Sequence, residues 1–212
     1  MISIKQTILK SASADFFSII GENMRTIDDY HTVMTKRLIL RSVELADAPA
    51  MYQWLGDKET VKWLSGEILA SIADVEEQAI RGYFWHDIAH TKKYGIALCD
   101  TNQLIGGVDF RQNLDNNDAE IGYVLTPAMR GYGYMAEAVT ELLHIGFDLI
   151  NLDSIWISHD LKNTPSRRIP ERLNFVNSGQ DKQGHVVWMM SKDNYNKQKT
   201  NEHHVHSFFC LL

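Results

Sequence analysis

Cysteine is scarce in this 212-residue sequence, and long apolar runs are missing. The two cysteines, Cys99 and Cys210, lie far apart, which is too few for a disulfide framework and is typical of a protein kept reduced in the cytoplasm. No stretch approaches the roughly 18 apolar residues of a membrane span. Ser11, Ser13 and Asp15 interrupt the place where a signal peptide would have its apolar core. The sequence therefore predicts a cytoplasmic protein that does not act in a membrane.

Positive charge is also in deficit. The chain has 21 lysines and arginines against 27 aspartates and glutamates, which gives a formal net charge of -6 at pH 7. Proteins that contact nucleic-acid phosphates usually have a basic surface, so nucleic acid is not expected as a partner. An acidic chain suits a basic peptide or an amine as substrate, although many proteins of other functions are equally acidic.

What the sequence does contain is a succession of short apolar segments whose period changes between 2 and 3.6 residues. Strands are predicted at 36–43, 94–100, 103–110, 120–125, 154–160, 175–178 and 186–191. Helices are predicted at 44–55, 74–88, 134–151 and 163–173. This order predicts a mixed α/β fold with one central sheet.

Three regions are expected along the chain: a helical extension at 1–33, one domain at 34–193 and a mobile polar tail at 194–212. The tail contains three clustered histidines, but a polar tail of this kind is not expected to bind a metal. Cys99 lies in an apolar strand, and we expect it to be buried.

The stretch from Glu120 to Ala138 combines a strand, a glycine-containing turn and the start of a helix. The first turn of a helix has unpaired N–H donors and the positive end of the helix dipole, and glycines let the backbone approach a bulky anion. The turn has neither the G-x-x-x-x-G-K-[ST] pattern of an ATP loop nor the G-x-G-x-x-G pattern of a dinucleotide fold. A glycine pair before a helix also occurs as a plain tight turn, so the turn alone leaves its function open.

Four segments together carry a resemblance to a known family. Residues 130–134 resemble the Q/R-x-x-G-x-G/A pyrophosphate loop of the GCN5-related N-acetyltransferase (GNAT) superfamily, with Arg130 at its first position, Gly133 at its fourth, and Met135 where glycine or alanine is usual. Residues 36–41, 119–125 and 163–175 resemble the first strand, fourth strand and last motif of the RimJ/RimL branch. The resemblance covers 36–192. It implies a mostly antiparallel sheet of about seven strands that splays apart between strands 4 and 5.

The resemblance also implies where coenzyme A binds. The pantetheine arm would lie in the splay and hydrogen-bond to the backbone near Val124, Leu125 and Thr126. Asn163 would contact pantetheine and Ser166 would lie near the thiol, while capping of the following helix explains the same two residues equally well. Backbone amides of the loop and first helical turn would hold the pyrophosphate, namely those of Arg130, Gly131, Tyr132, Gly133, Tyr134, Met135 and Ala136.

For catalysis, the resemblance points to Glu120 as the general base, with a solvated strand residue as the alternative, and to Ser166 near the reacting sulfur. Many superfamily members have a tyrosine general acid where this chain has Pro170, so a different group must protonate the thiolate here. Because an α-amine has a pKa of about 7.7 to 8, it is partly neutral at pH 7 and needs little help from a base.

These observations predict an acetyl-CoA-dependent N-acetyltransferase that transfers the acetyl group directly to a primary amine, either a protein N-terminus or a small amine. It would act as a monomer or homodimer and need no metal. Two alternatives stay open: a non-catalytic acyl-CoA-binding module with the same fold, and an antibiotic or small-amine acetyltransferase. The segments 52–72 and 111–118, where substrate choice would lie, contain no pattern that decides between them.

Overall fold

The computed structural model describes residues 25–209, and the side chains of 25–201. Most of the predicted extension at 1–33 lies outside this range. Its last residues contribute a short 3₁₀ turn, Ile27–Asp29, and the first strand of the sheet. The Ile27 side chain is fully buried in the main core, so this end of the extension packs on the domain.

One eight-stranded sheet forms the centre of the protein, in the order β1-β2-β3-β4-β5-β6-β8-β7. All neighbouring strands are antiparallel except β5 and β6, which are parallel. The predicted mixed α/β fold is confirmed, with one strand more than expected because two-residue β1 has no sequence pattern of its own. The strands are β1 (Val33–Met34), β2 (Leu38–Arg41), β3 (Thr91–Leu98), β4 (Leu104–Asn113), β5 (Asp118–Leu125), β6 (Ser154–His159), β7 (Val176–Gln180) and β8 (Val186–Ser191).

Helices cover both faces of the sheet. Two of them continue as π-helices, a local change of hydrogen bonding that hydrophobic spacing does not reveal. The helices are α1 (Ala48–Leu55), α2 (Lys58–Val61), α3 (Ile72–Asp74, then π-helical Val75–Phe84), α4 (Tyr134–His144, then π-helical Ile145–Ile150), α5 (Thr164–Arg172) and α6 (Lys192–Phe209).

Alternation along the strands explains the two cores. Leu38, Leu40 and Ile121 point to one face and pack with α4 residues such as Leu142. The opposite face packs against α1 and α3, where Trp54, Ile80 and Leu104 are buried. Each such side chain contributes about 1.5–3 kcal/mol when it leaves water. Apolar cores on both faces therefore hold the sheet in place, and a binding site is expected at the strand ends.

The predicted splay is present and lies between β5 and β6. These strands pair only from Asp118 to Glu120, opposite Ser154 to Trp156, and then diverge. On its other side β5 stays in unbroken register with β4, and the Thr126 N–H donates to the Ile105 carbonyl at 2.9 Å. Backbone groups alternate between the two sides of an antiparallel strand. The unpaired groups that face the gap therefore belong to the odd-numbered residues 121, 123 and 125.

The C-terminal region is not a mobile tail in the part that the structure describes, so that expectation is wrong there. Helix α6 begins at Lys192 and packs on α4. The Tyr195 hydroxyl and the Lys199 ammonium both donate to Asp148 at 2.8 Å, and the Tyr195 ring stacks on Phe147 at 4.8 Å. Within the described residues, no helix is long and apolar enough to cross a membrane.

Candidate active site

The glycine turn leads into α4 with the geometry of an anion site. Gly131 and Gly133 have φ angles of +88° and +81°, which favour glycine, and Gly133 is the residue from which α4 starts. The first helical hydrogen bond runs from Glu137 N–H to Gly133 O at 3.1 Å. The N–H groups of the three residues between them therefore have no acceptor within the helix and point out of its positive end.

Met135 and Ala136 belong to helix α4, whereas the sequence match places Met135 in the loop. The match places Met135 at the last loop position, whereas the structure makes it the second residue of α4, with a side chain only 3% exposed. Ala136 is buried beside it. Only the backbone amides of these two residues face the turn, and Gly131 and Gly133 are the two glycines that the loop conformation requires.

The Arg130 side chain turns away from the helix end. Its Nε and Nη2 atoms donate to the Leu125 carbonyl at 3.2 and 3.0 Å, and Nη2 also donates to Thr60 Oγ1 at 2.7 Å. Arg130 thus ties the end of β5 to helix α2. It occupies the Leu125 carbonyl, which leaves the Leu125 N–H facing the gap.

Two other arginines, which the sequence analysis missed, approach the turn. Arg37 is held by Glu137 Oε2 at 2.6 Å, by the Tyr132 carbonyl at 3.1 Å and by the Tyr134 ring at 4.6 Å. A Cβ built on Gly133 would lie 3.6 Å from Arg37 Nη2 and 3.7 Å from Arg172 Nη1. Two guanidinium groups therefore converge on the glycine that starts α4.

The surroundings of Glu137, the partner of Arg37, stabilise its ionised carboxylate. Burial alone would raise the pKa of Glu137, but hydrogen bonds from Thr35 and Arg37 outweigh it and hold that pKa below the usual range. Arg37 is separated from Glu137 by a hundred residues in the chain. No local pattern in the sequence could have signalled this pair.

The other wall of the gap is built by the start of α5. Asn163 is 8% exposed, and its Oδ1 accepts the Ser166 N–H at 3.3 Å, so the capping role weighed from the sequence is present. The Tyr123 hydroxyl donates to the Ser166 carbonyl at 2.8 Å, which links β5 to α5. Burial raises the pKa of Tyr123, so its phenol keeps its proton. Pro170 is buried within α5.

The three predicted backbone contacts on β5 are not equivalent. Val124 and Thr126 direct their backbone groups toward β4, and the Thr126 N–H is already bonded there. Leu125 faces the gap, together with Tyr123, which the prediction did not include. The structure thus offers alternate residues to a ligand lying along β5, as expected for a strand that lacks a neighbour.

Glu120 lies where the gap begins, but its carboxylate is occupied. Arg111 Nε and Nη2 contact its two oxygens at 3.1 and 3.0 Å, and the Ser158 hydroxyl lies at 3.5 Å. Arg111 also donates to Asp109 at 2.9 Å. Within the described part of the chain, no group of acidic, histidine or cysteine side chains is placed to hold a metal. Cys99 is exposed at the end of the β3 region, so its predicted burial is wrong.

This geometry suits a long ligand with amide groups in the gap and an anion at the start of α4. Comparison with known families agrees: residues 37–176 match the model described as Acetyltransferase (GNAT) domain. The chain belongs to this acetyltransferase family.

Relatives and solved structures support the assignment. The N-acetyltransferase p20 of Bacillus licheniformis, itself uncharacterised, is 31% identical over 152 residues, which cover 70% of this chain and 84% of p20. A GNAT acetyltransferase structure from Bacillus anthracis superposes with a TM-score of 0.67 at 22% identity, covering 76% of this chain and 99% of that one. A RimL ribosomal-protein acetyltransferase solved with coenzyme A superposes with a TM-score of 0.62 at 22% identity, covering 76% and 98%.

GNAT acetyltransferases use acetyl-CoA, and the residues present here fit it. The loop glycines leave room for a diphosphate beside the free amides of α4, and the gap supplies unpaired backbone groups for the amides of pantetheine. This GNAT chain is accordingly an acyltransferase.

Proposed function

We propose that this GNAT protein binds acetyl-CoA between β5 and β6 and transfers its acetyl group directly to a primary amine. One observation carries the proposal: β5 has backbone groups facing the gap that no neighbouring strand pairs, and the first three N–H groups of α4 have no acceptor within the helix. Acetyl-CoA supplies the activated acyl group. The protein supplies amides at Tyr134, Met135 and Ala136 for the diphosphate, and gap-facing backbone at Tyr123 and Leu125 for pantetheine.

Side chains complete this proposed site. Arg37 and Arg172 would add charge-assisted contacts to a phosphate beside Gly133. Asn163 would cap α5 and present its amide to the pantetheine, with Ser166 near the sulfur. Glu120 as the general base stays a prediction, since its two oxygens are bonded to Arg111.

We favour a protein N-terminal α-amine as the acceptor and the cytoplasm as the place of action. The α-amine is supported by its ordinary pKa of about 7.7 to 8, which leaves part of it neutral at pH 7, and by the RimL likeness. A small amine is the second candidate, because the acidic net charge of -6 suits any cationic acceptor.

Thermal unfolding tests the donor half of the proposal. Acetyl-CoA at about 100 times its dissociation constant should stabilise the protein by about 2.7 kcal/mol, which corresponds to a rise of about 5–10 °C in Tm for a chain of this size. Adenosine 3′,5′-bisphosphate, which lacks pantetheine, should stabilise it less. No stabilisation by millimolar acetyl-CoA would refute the proposed donor site.

Thiol release tests the acceptor half. Peptides with free and blocked N-termini, together with a panel of small amines, are incubated with acetyl-CoA, and free coenzyme A is measured. Release that requires a free peptide N-terminus supports the α-amine proposal. Binding of acetyl-CoA without release from any acceptor would favour the non-catalytic module.

A further inference from the structure

A second group of polar side chains lies on the face of the sheet that α3 covers, beside the start of the gap. Asp109 and Arg111 are alternate residues of β4 and point to this face together. Glu120 lies opposite Arg111, and Gly122 lies opposite Asp109. The Tyr83 hydroxyl of α3 donates to Asp109 Oδ2. The cluster thus joins α3, β4 and β5 at the point where β5 loses its neighbour.

The two carboxylates in this cluster differ in what they can accept. Both Glu120 oxygens contact the Arg111 guanidinium, at 3.1 and 3.0 Å. In Asp109, Oδ2 accepts hydrogen bonds from the Tyr83 hydroxyl and from Arg111, and among the described residues no hydrogen bond reaches Oδ1. The Asp109 side chain is 17% exposed, so the cluster does not enclose it completely.

Gly122 lets the Arg111 guanidinium pack directly against the backbone of β5 beside Asp109. A Cβ at this position would lie 3.0 and 3.2 Å from the two terminal nitrogens of Arg111, so even an alanine would crowd the guanidinium. Neighbouring strands are only about 4.8 Å apart, so Asp109 lies one strand away from the gap edge of β5.

The titratable groups that face Asp109 are the neutral phenol of Tyr83 on α3 and three charged groups: Lys93 on β3, Arg111 beside it on β4, and Glu120 on β5. Burial raises the pKa of Asp109, and Glu120 adds to the rise, while Tyr83, Arg111 and Lys93 oppose it without cancelling it. Burial also raises the pKa of Tyr83, so its phenol remains a donor. A carboxylate in this setting takes up a proton more readily than an exposed aspartate does.

We infer that Asp109 is the group that accepts the proton of the acceptor ammonium, with Glu120 and Gly122 positioning Arg111 beside it. The inference rests on the proposed acetyl transfer and assigns its base to β4 instead of β5.

The step balances as follows. The acceptor ammonium gives one proton to Asp109 Oδ1 and becomes a neutral amine. Its nitrogen lone pair forms the bond to the acetyl carbon, and the bond from that carbon to sulfur breaks with its electron pair on sulfur. The sulfur takes up the second N–H proton, and Asp109 later releases its own proton to water.

Three variants test this inference: Asp109→Asn, Glu120→Gln, and Asp118→Asn as a control that removes a half-buried carboxylate from the paired end of β5. Thiol release from acetyl-CoA is followed between pH 4 and 9, with the best acceptor of the amine panel and, as a blank, with water alone. Asp109→Asn should lower kcat about 10²- to 10⁴-fold, the usual effect of losing a general base. Its pH profile should keep the step that deprotonation of the acceptor amine produces, at about pH 8 for an α-amine. It should lose the step on the acid side, which reports deprotonation of Asp109.

Glu120→Gln should keep the acid-side step, and Asp118→Asn should leave the rate unchanged. The inference requires the acid-side step to vanish in Asp109→Asn and to persist in Glu120→Gln, and any other pattern overturns it. An acid-side step lost only in Glu120→Gln would make Glu120 the base.

A second measurement needs neither donor nor acceptor. Carbon-13 NMR of aspartate carboxyl groups, with Asp109 assigned from its absence in Asp109→Asn, should give a titration midpoint above the ordinary aspartate value of about 3.9. A midpoint at or below that value would overturn the inference even if acetyl transfer is confirmed. Failure to bind acetyl-CoA would instead refute the proposed function and leave this titration to be judged separately.

Discussion

Replacing Gly133 with valine separates the two tasks of the glycine turn, which are to fold and to bind an anion. Gly133 has a φ angle of +81°, where a side chain costs about 1–3 kcal/mol of backbone strain. A Cβ there would make only ordinary contacts with Arg37 and Arg172, at 3.6 and 3.7 Å. The free protein should therefore fold, and its Tm should fall by about 2–4 °C for each kcal/mol of strain.

The effect on ligand binding should be larger than the effect on folding. The valine methyl groups would occupy the space between the two guanidinium groups and the amides of α4. Each charge-assisted hydrogen bond to the diphosphate that is lost costs about 1.5–3 kcal/mol, so the Kd for acetyl-CoA should rise about 10- to 150-fold per bond.

Gly184 offers a matched control. It has a φ angle of +86° in the β7–β8 turn, and a Cβ there would meet nothing within 4 Å. Gly184→Val should lower the Tm by a similar amount and leave the acetyl-CoA affinity unchanged in calorimetric titration. If folded Gly133→Val binds acetyl-CoA as tightly as Gly184→Val, the turn is not the phosphate site.

Two further predictions concern other parts of the protein. Asn163→Ala should lower stability by about 1 kcal/mol through loss of the α5 cap. Asn163→Asp should restore the Tm but not the acetyl-CoA affinity, because a carboxylate keeps the cap and lacks the amide donor. If aspartate restores both, the Asn163 amide does not contact acetyl-CoA. At Asp148, burial alone would raise the pKa, but hydrogen bonds from Lys199, His144 and Tyr195 lower it to about 2. The stability that Asp148 adds is therefore complete above about pH 4 and lost as pH falls toward 2. The urea concentration at the unfolding midpoint should differ less between pH 3 and pH 5 in Asp148→Asn than in the parent. An unchanged difference would contradict this assignment.

The parts of the fold that sequence predicted well are those with a local periodic signal. Gly131 and Gly133 between a strand and a helix could be recognised, because left-handed turns and free helix ends depend on neighbouring residues. The same holds for Asn163 before Pro165, a pattern that begins helices.

The parts that sequence missed depend on residues far apart in the chain. The Arg37–Glu137 pair and the Tyr83–Asp109–Arg111 cluster form only when the sheet and its helices have assembled. Alternation along β4 could place Asp109 and Arg111 on one face, but not beside α3. Helix α6 was missed because its first turns are polar, and its attachment to Asp148 is an ionic contact between distant segments.

The divergence of β5 and β6 also bears on self-association. Unpaired strand edges are templates for pairing with other chains, and proteins usually guard them with charges, bulges or covering elements. Here the unpaired edge of β5 lies inside the sheet, faces another strand of the same molecule, and is linked to α5 by the Tyr123 hydroxyl. A second chain would have to enter between elements that are already packed together. The protein can therefore keep a row of backbone groups open to a narrow ligand at a position inside the sheet, away from the outer edges at β1 and β7.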